Sequence, residues 1–148
     1  MSPKRTSEQR GLRPDPGTPV PAVRRDAETE EFFAGTERGE LLIRRCDDCG
    51  HDNPPPASAC ARCHSAALTW TPARGTGSVV SWSVVHGPAR DGGPPARTTV
   101  AIVELDEGPW LHSRLAEVDP ADVHAGLRVA VTFDRPTDGE AVPVFRPT

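Results

Sequence analysis

Two pairs of cysteines constrain this chain more than any other feature of its sequence. Two residues separate the cysteines within each pair, ten residues separate the pairs, and the four positions are Cys46, Cys49, Cys60 and Cys63. In a C-x-x-C pair, a tight turn directs both sulfurs at one ion, and two such turns complete a tetrahedron. The spacing therefore predicts one structural zinc ion, bound by these four thiolates in a ribbon of residues 41–73.

Other interpretations of the cysteines fit less well. Two disulfides or a redox dithiol are disfavoured, because no segment resembles a secretory signal and a redox pair needs no second copy. Iron on the same four thiolates stays an alternative. His51 and His64 each follow a cysteine pair, but four sulfurs already close the coordination shell, so we expect ordinary loop residues there. A closed shell also predicts a metal without a catalytic role.

The chain beyond the cysteines is predicted to be a small β-barrel. With 13 Gly, 17 Pro and only 5% aromatic residues, the composition favours short strands and many turns. Val129, Val131 and Phe133 alternate as one face of a strand should. Five segments have strand composition, which is the number that an OB-fold barrel needs: 78–86, 98–105, 110–118, 127–133 and 142–145. We therefore predict an OB-fold barrel over residues 74–148.

Turn signals support this order of strands. Asp106-Glu107-Gly108-Pro109 predicts a hairpin turn between the second and third strands. Asp119-Pro120-Ala121-Asp122, followed by Gly126, predicts a short helix between the third and fourth strands, where an OB-fold carries one. Pro143 predicts that the last strand lies at an edge, or that the barrel stays partly open there.

The N-terminal forty residues divide into a tail and a helix. Residues 1–25 carry a net charge of +4 and five prolines, a composition that predicts a disordered tail. Within residues 26–40, Asp26 as N-cap and Gly39 as C-terminal glycine predict a helix over about residues 27–38. Phe32, Phe33 and Thr36 give this helix a narrow apolar side that needs another surface, which another chain could provide.

Charge and hydropathy exclude several classes of function. The whole chain has a net charge of −4 and the tail has a net charge of +4, so the rest of the chain carries −8. A negative charge is the wrong sign for binding phosphate backbones. The sequence contains no apolar run near 18 residues, so no spanning helix is predicted. We expect a soluble cytoplasmic protein that binds neither nucleic acid nor membrane.

The sequence contains no convincing catalytic constellation. His86 and His112 could act as bases, but neither has a partner at a suggestive spacing, and exposed barrel histidines are the simpler interpretation. The long segment 86–97 includes Arg90 and Arg97, which could contact a CoA phosphate or an acidic partner, or only solubilise the loop. Trp110 is expected in the barrel core, and Trp82 either there or on an OB binding face.

Residues 30–148 resemble a known family, the acyl-CoA-associated zinc-ribbon and OB-fold family catalogued as domain of unknown function thirty-five. The resemblance rests on a series of motifs in a characteristic order: Phe32–Gly35, Gly39–Leu41, Cys46–Gly50, Pro54–Pro56, Cys60–His64, Trp70, Gly75–Val79, Ser81–His86, Val103–Gly108, Asp119–Val123 with Gly126, and Pro143–Pro147. Trp82 stands where Tyr is common in the family, and the first barrel loop is unusually rich in Gly and Arg.

The resemblance implies a fold, a partner and a function. The fold would be a rubredoxin-like zinc ribbon packed on an OB barrel, with Cys46, Cys49, Cys60 and Cys63 as the ligands of one zinc ion. The function would be that of a non-catalytic subunit in a hetero-oligomer with a thiolase-like enzyme, such as a thiolase, acyltransferase or aldolase, in some cases also with a hydratase. Such subunits help to shape the passage of acyl-CoA in lipid, steroid or polyketide metabolism. A single-stranded nucleic-acid-binding protein is the alternative, because ribbons and OB-folds also serve that role.

Overall fold

The computed structural model describes residues 23–87, 93 and 96–148. Within this part, the secondary structure consists of one α-helix, eight strands and one short 3₁₀ turn, in the order α1 (Glu30–Glu37), β1 (Leu42–Cys46), β2 (Asp52–Asn53), β3 (Leu68–Pro72), β4 (Thr76–His86), β5 (Arg97–Leu105), β6 (Trp110–Leu115), the 3₁₀ turn Pro120–Asp122, β7 (Arg128–Asp134) and β8 (Val142–Pro147). No helix in these ranges is both long and apolar enough to cross a membrane.

The ribbon is a three-stranded antiparallel sheet in the order β2-β1-β3. Strand β1 is central, and it pairs with β3 from Leu42 opposite Pro72 to Cys46 opposite Leu68. Its last residue is therefore the first cysteine of the cluster, which fixes that sulfur to the end of a paired strand.

The remaining strands form the predicted barrel, which closes in the order β4-β5-β6-β8-β7. Alternate residues of each strand point inward to one apolar cluster that contains Val79, Val103, Val129 and Phe145. Leu41 and Ile43, at the start of the ribbon, belong to the same cluster. The predicted fold class is confirmed, and the ribbon and barrel share one core.

The predicted helix between the third and fourth barrel strands is only a 3₁₀ turn. The Asp119 side chain accepts a hydrogen bond from the Ala121 N–H, as expected of the capping residue. The chain turns back after one turn, and the N–H of Gly126, which has φ +90°, donates to the carbonyl of Val79 in β4. Because the Gly126 N–H is hydrogen-bonded to strand β4, the helix cannot extend as far as Gly126.

Pro143 predicted an edge strand or a partly open barrel. The barrel is closed, but the closing contact between β6 and β8 is short. Strands β6 and β8 are joined by one residue pair, Leu115 opposite Phe145. The carbonyl of Pro143 accepts a hydrogen bond of 3.0 Å from the Ser113 hydroxyl on β6. Because N–H and C=O of one strand residue point to the same side, the N–H that proline lacks is missing on the β6 side.

Helix α1 is shorter than predicted and packs within its own chain. The Asp26 carboxylate accepts hydrogen bonds from the N–H groups of Glu28 and Thr29 in a turn before the helix, instead of capping the helix itself. Gly35 lies against Leu42, since a Cβ at Gly35 would come within 2.6 Å of the Leu42 Cγ. The surface that the narrow apolar side needs is therefore the ribbon.

Residues 23–25, which the sequence assigns to the tail, contact the fold. The Val23 carbonyl accepts from the Glu140 N–H, and the Arg25 guanidinium lies 2.7 Å from the Glu140 carboxylate. This hydrogen-bonded ion pair lowers the pKa of Glu140. Arg25 also meets Glu30 and Glu37, so it joins helix α1 to the β7–β8 connection.

Candidate metal centre and adjoining groove

The four cysteines meet at one point of the ribbon. Their sulfur atoms all lie within 4.8 Å of one another, with 3.5 Å between Cys46 and Cys63 and 3.6 Å between Cys49 and Cys60. A tetrahedral zinc ion with Zn–S bonds of about 2.3 Å holds its sulfurs about 3.8 Å apart. The arrangement fits such an ion, and all four cysteines are free of disulfide bonds.

Each cysteine pair forms the same type of backbone turn. In the first turn, the Gly50 N–H donates to the Cys46 carbonyl and the Cys46 N–H donates to the His51 carbonyl. In the second, the His64 N–H donates to the Cys60 carbonyl and the Cys60 N–H donates to the Ser65 carbonyl. The residue after each pair has positive φ, +79° at Gly50 and +67° at His64. His64 therefore has a role in backbone geometry, and neither histidine belongs to the sulfur cluster.

Asn53 joins the two turns, and sequence reasoning overlooked it. Its side chain is fully buried, its amide donates to the carbonyls of Arg44 and His51, and its oxygen accepts from the Ala61 N–H. A buried amide that satisfies three backbone groups fixes the spacing of the elements it connects. The sequence around Asn53 shows no periodic pattern and only a short stretch with strand composition. Nothing in it indicates that this side chain is buried.

The electrostatics of the cluster favour a cation. Burial acts to raise the pKa of the Cys60 thiol, but hydrogen bonds from the backbone N–H groups of Cys63 and Arg62 help lower it to about 6. At Cys63, a bond from the Ser65 backbone acts to lower the pKa, yet the neighbouring thiols and burial raise it to about 12. Four sulfurs this close cannot all carry negative charge without a divalent ion between them.

A groove with a volume of about 1070 Å³ runs beside the ribbon. Helix α1, the ribbon and barrel strands β6 and β8 each contribute to its walls. Most of the lining is apolar or aromatic, and it includes Phe32, Phe33, Leu41, Pro54, Pro55, Pro56, Trp70, Trp110, Leu111, Val142, Pro143 and Phe145. Polar and charged side chains also line it: Glu28, Thr29, Arg44, Ser58, His112 and Ser113. A largely apolar groove that also holds polar groups is typical of sites that accept organic ligands.

Arg44 is the cationic side chain of the groove. Its guanidinium carbon lies 4.6 Å above the centre of the Trp70 ring, and its Nη1 donates to the Ala57 carbonyl at 3.1 Å. Its Nε is buried and has no hydrogen-bond partner among the described residues. A buried charged donor without a partner costs free energy, but this atom is closed off from solvent, so the groove meets Arg44 through other atoms of the side chain. No motif in the sequence indicates Arg44 as a groove residue.

Of the residues predicted to contact substrate or partner, the three that the structure describes lie away from this groove. Trp82 and His86 are exposed on β4, and Arg97 is exposed at the start of β5, opposite His86. Arg90 lies outside the described residues. Trp110 was expected in the core, but it is 54% exposed at the groove, because it pairs with the outward-facing Glu104.

The predicted hairpin turn between β5 and β6 is present, and its two acidic residues have a structural role. Asp106 binds Arg128 through two hydrogen bonds and accepts another from Thr76, and these contacts lower its pKa to about 2. Glu107 accepts from the Arg74 N–H at 2.7 Å, at the connection between ribbon and barrel. The Arg128 and Arg74 contacts commit both carboxylates to the fold.

The two domains of the chain match two family models. Residues 33–69 match the ChsH2 rubredoxin-like zinc ribbon domain, and residues 70–134 match the ChsH2 C-terminal OB-fold domain. A DUF35 domain-containing scaffold protein of Methanocaldococcus jannaschii is 32% identical over 67% of this chain and 71% of its own length. A probable enoyl-CoA hydratase alpha subunit of Thermomonospora curvata is 34% identical over 98% of this chain. The chain spans only 44% of that hydratase subunit.

The fold also matches a chain of known structure. A chain of the Ltp2-ChsH2(DUF35) aldolase aligns with a TM-score of 0.70 and 32% sequence identity, over 86% of this chain and 98% of the other. At 86% coverage, the match includes both the ribbon and the barrel of this chain.

Proposed function

We propose that this chain, which belongs to the DUF35 family of zinc-ribbon and OB-fold scaffold proteins, is an accessory subunit of an acyl-CoA-processing enzyme complex. It would bind a thiolase-like enzyme, or in some assemblies a hydratase, in lipid, steroid or polyketide metabolism. The observation that carries this proposal is the alignment over nearly the full length of a chain from an aldolase named for two proteins. The relatives named as scaffold and hydratase subunits agree with it.

The proposed metal is one zinc ion bound by Cys46, Cys49, Cys60 and Cys63. The sulfur separations fit its bond lengths. Four thiolates leave no position for water or substrate, so the ion would hold the two cysteine turns together and take no part in a reaction. The chemistry would then belong to the partner enzyme, and this chain would have no activity of its own.

The proposed contribution to substrate passage rests on the groove. Its aromatic and proline-rich walls suit an acyl or pantetheine chain, and Arg44, stacked on Trp70, adds a positively charged side chain to the lining. Trp82, His86, Arg90 and Arg97 remain proposed contacts with the partner or with acyl-CoA. A partner enzyme seated over the groove would convert an open channel into a closed one.

The partner is tested by native mass spectrometry on the tagged chain isolated from its own cells. We expect a hetero-oligomer with a thiolase-like protein or a hydratase, and one zinc ion per copy of this chain. A lone chain that binds oligonucleotides with strong salt dependence would contradict the proposal and favour the nucleic-acid alternative.

The groove is tested in the isolated complex by a matched pair of variants. Arg44→Met removes the positively charged side chain from the groove lining, and we expect the KM of the complex for its acyl-CoA to rise about 10-fold, the effect of one lost charged hydrogen bond. Arg45→Met is the control, because Arg45 is the next residue and pairs with Asp52 on the other face. Equal KM values for the two variants, with the complex intact, would exclude the groove as the passage.

A further inference from the structure

Among the described residues, one edge of strand β4 has no pairing partner over about half of its length. Strand β4 pairs with β5 from Gly77 to His86, with a β-bulge between Val79 and Ser81, but with β7 only from Thr76 to Ser78. Val79 makes the last backbone hydrogen bonds on that side, to Leu127 and Gly126. Within the described part of the chain, no backbone group pairs with Ser81–His86 from the β7 side.

The direction of the hydrogen bonds identifies which residues form this free edge. The Gly87 N–H donates to the Ala96 carbonyl of the neighbouring chain segment. Because backbone groups alternate sides along a strand, Ser81, Ser83 and Val85 direct theirs toward β5. Trp82, Val84 and His86 direct their N–H and C=O groups to the open side.

This edge has few of the features that usually protect exposed strands. A β-bulge interrupts the β4–β5 register between Val79 and Ser81 at its start, but among the described residues no strand pairs with Ser81–His86 on the β7 side. Natural edge strands are commonly blocked by charged side chains, by proline or by a covering element. Ser81–Val85 contains neither charge nor proline. Trp82 is 40% exposed on one face of the strand and Val85 is 52% exposed on the other, so a strand added here would meet an apolar side chain on each face.

The charge of the same region indicates what kind of segment would bind. Ser81–His86 and its paired residues 97–102 contain no acidic residue, although the chain after residue 25 carries −8. His86 and Arg97 lie opposite each other at the far end of the hairpin. A second copy of this chain would bring the same basic pair, so an acidic partner is the better complement.

We propose that the free edge of β4, residues Ser81–His86, accepts an extended segment of the partner enzyme by strand addition. The segment has apolar side chains at alternate positions and a carboxylate beside His86 and Arg97. This inference rests on the proposed function, because it takes the enzyme subunit as the occupant. Strand addition satisfies the exposed backbone of Trp82, Val84 and His86, and their side-chain faces set the specificity.

Residue-resolved hydrogen exchange on the free chain and on the complex tests the proposal. We expect the amides of Trp82, Val84 and His86 to exchange rapidly in the free chain and at least about 10-fold more slowly in the complex. The amides of Ser83 and Val85, already bonded to β5, should be protected in both. A complex that forms without new protection of the alternate amides overturns the edge proposal but leaves the proposed function intact.

A matched pair of variants gives an independent readout. Val84→Pro removes an N–H that points away from β5, so it spares the β4–β5 ladder. We expect it to weaken partner binding at least about 10-fold through the lost hydrogen bond, whereas Val84→Ala keeps the N–H and should bind within a few-fold of the original. Equal binding by both variants overturns the proposal.

Two further outcomes separate this inference from the proposed function. If no enzyme binds the original chain, the proposed function fails and the edge proposal fails with it. If the isolated chain dimerises with rising concentration and the three alternate amides become protected, the occupant is a second copy, and the assignment to the enzyme is overturned.

Discussion

The ribbon and the barrel differ in what lies at their centres. Four sulfur atoms within 4.8 Å of one another form the centre of the ribbon, whereas fully buried side chains such as Val103, Val129 and Phe145 form the centre of the barrel. A barrel with such a core gains stability from apolar area removed from water, but a small ribbon cannot bury enough area and needs a metal. The comparison predicts that the two regions respond to different perturbations.

The largest effect is expected from loss of the metal. Cys60→Ser, or a strong chelator, should release one zinc ion per chain and unfold the ribbon, because on the order of 10 kcal/mol of metal-binding free energy is coupled to folding in comparable sites. Metal content and melting temperature measure the effect. Ala59→Ser is the control, because it introduces the same hydroxyl at the exposed neighbour of Cys60 and leaves all four thiols in place. A chelated protein that melts like the original would mean that no structural metal is present.

A core substitution tests the barrel in the same way. Phe145 is fully buried, so Phe145→Ala should cost about 3–5 kcal/mol of unfolding free energy through lost burial and a cavity. Trp110→Ala removes a comparably large side chain that is 54% exposed, and it should cost far less. Denaturant titration measures both. If the two variants lose equal stability, the barrel is not held together by this core.

Acid should weaken a polar contact of the barrel. The pKa of Asp106 is about 2 in the folded chain, below its unfolded value of about 3.9, so its ionised form stabilises the fold above that unfolded value. After allowance for solvent screening, Asp106→Asn should cost about 1 kcal/mol at pH 7. The difference from the original should disappear as the pH falls toward 2. Asp138 forms an exposed ion pair with Arg24, so Asp138→Asn should change the unfolding free energy little. If the stability difference between Asp106→Asn and the original protein grew in acid, the lowered pKa of Asp106 would be contradicted.

The smallest effects compare the two cysteine turns with each other. Gly50 and His64 occupy equivalent positions with positive φ, a conformation that costs an L-residue with a Cβ roughly 1 kcal/mol. His64→Gly should therefore raise the unfolding free energy of the zinc-loaded protein slightly, and Gly50→Ala should lower it by about 1 kcal/mol. A Cβ at Gly50 would meet no atom within 4 Å, so the loss would be purely conformational. Changes of the same sign in both variants would refute the equivalence of the turns.

Local patterns predicted most of the elements correctly. The bounds of the five barrel strands agree closely with the alternating segments, and Gly108, with φ +114°, closes the hairpin turn that its sequence predicts. The predictions failed where a distant segment decided the result. The short helix before β7 is limited to a 3₁₀ turn, because the Gly126 N–H bonds to the Val79 carbonyl, and Trp110 is exposed because its partner residue Glu104 faces outward.

The four candidate ligands were identifiable from sequence, but the groove was not. A C-x-x-C turn directs its sulfurs through contacts within six residues, so the local sequence determines its geometry. The groove combines Phe32, Arg44, Trp70 and Leu111 from separate elements of the helix, ribbon and barrel. None of these residues belongs to a local pattern that indicates a binding surface.

The sequence by itself therefore determined the cluster of four cysteines, the succession of strands along the chain and the acidic turns, because short-range backbone geometry and side-chain alternation control them. Only the tertiary structure decided that Arg25 pairs with Glu140, 115 positions away, that Arg44 has an unpartnered donor, and that half of β4 is left as a free edge. The edge exists because β7 pairs with only three residues of β4. Strand overlap of this kind depends on how the barrel closes, and no single segment encodes it.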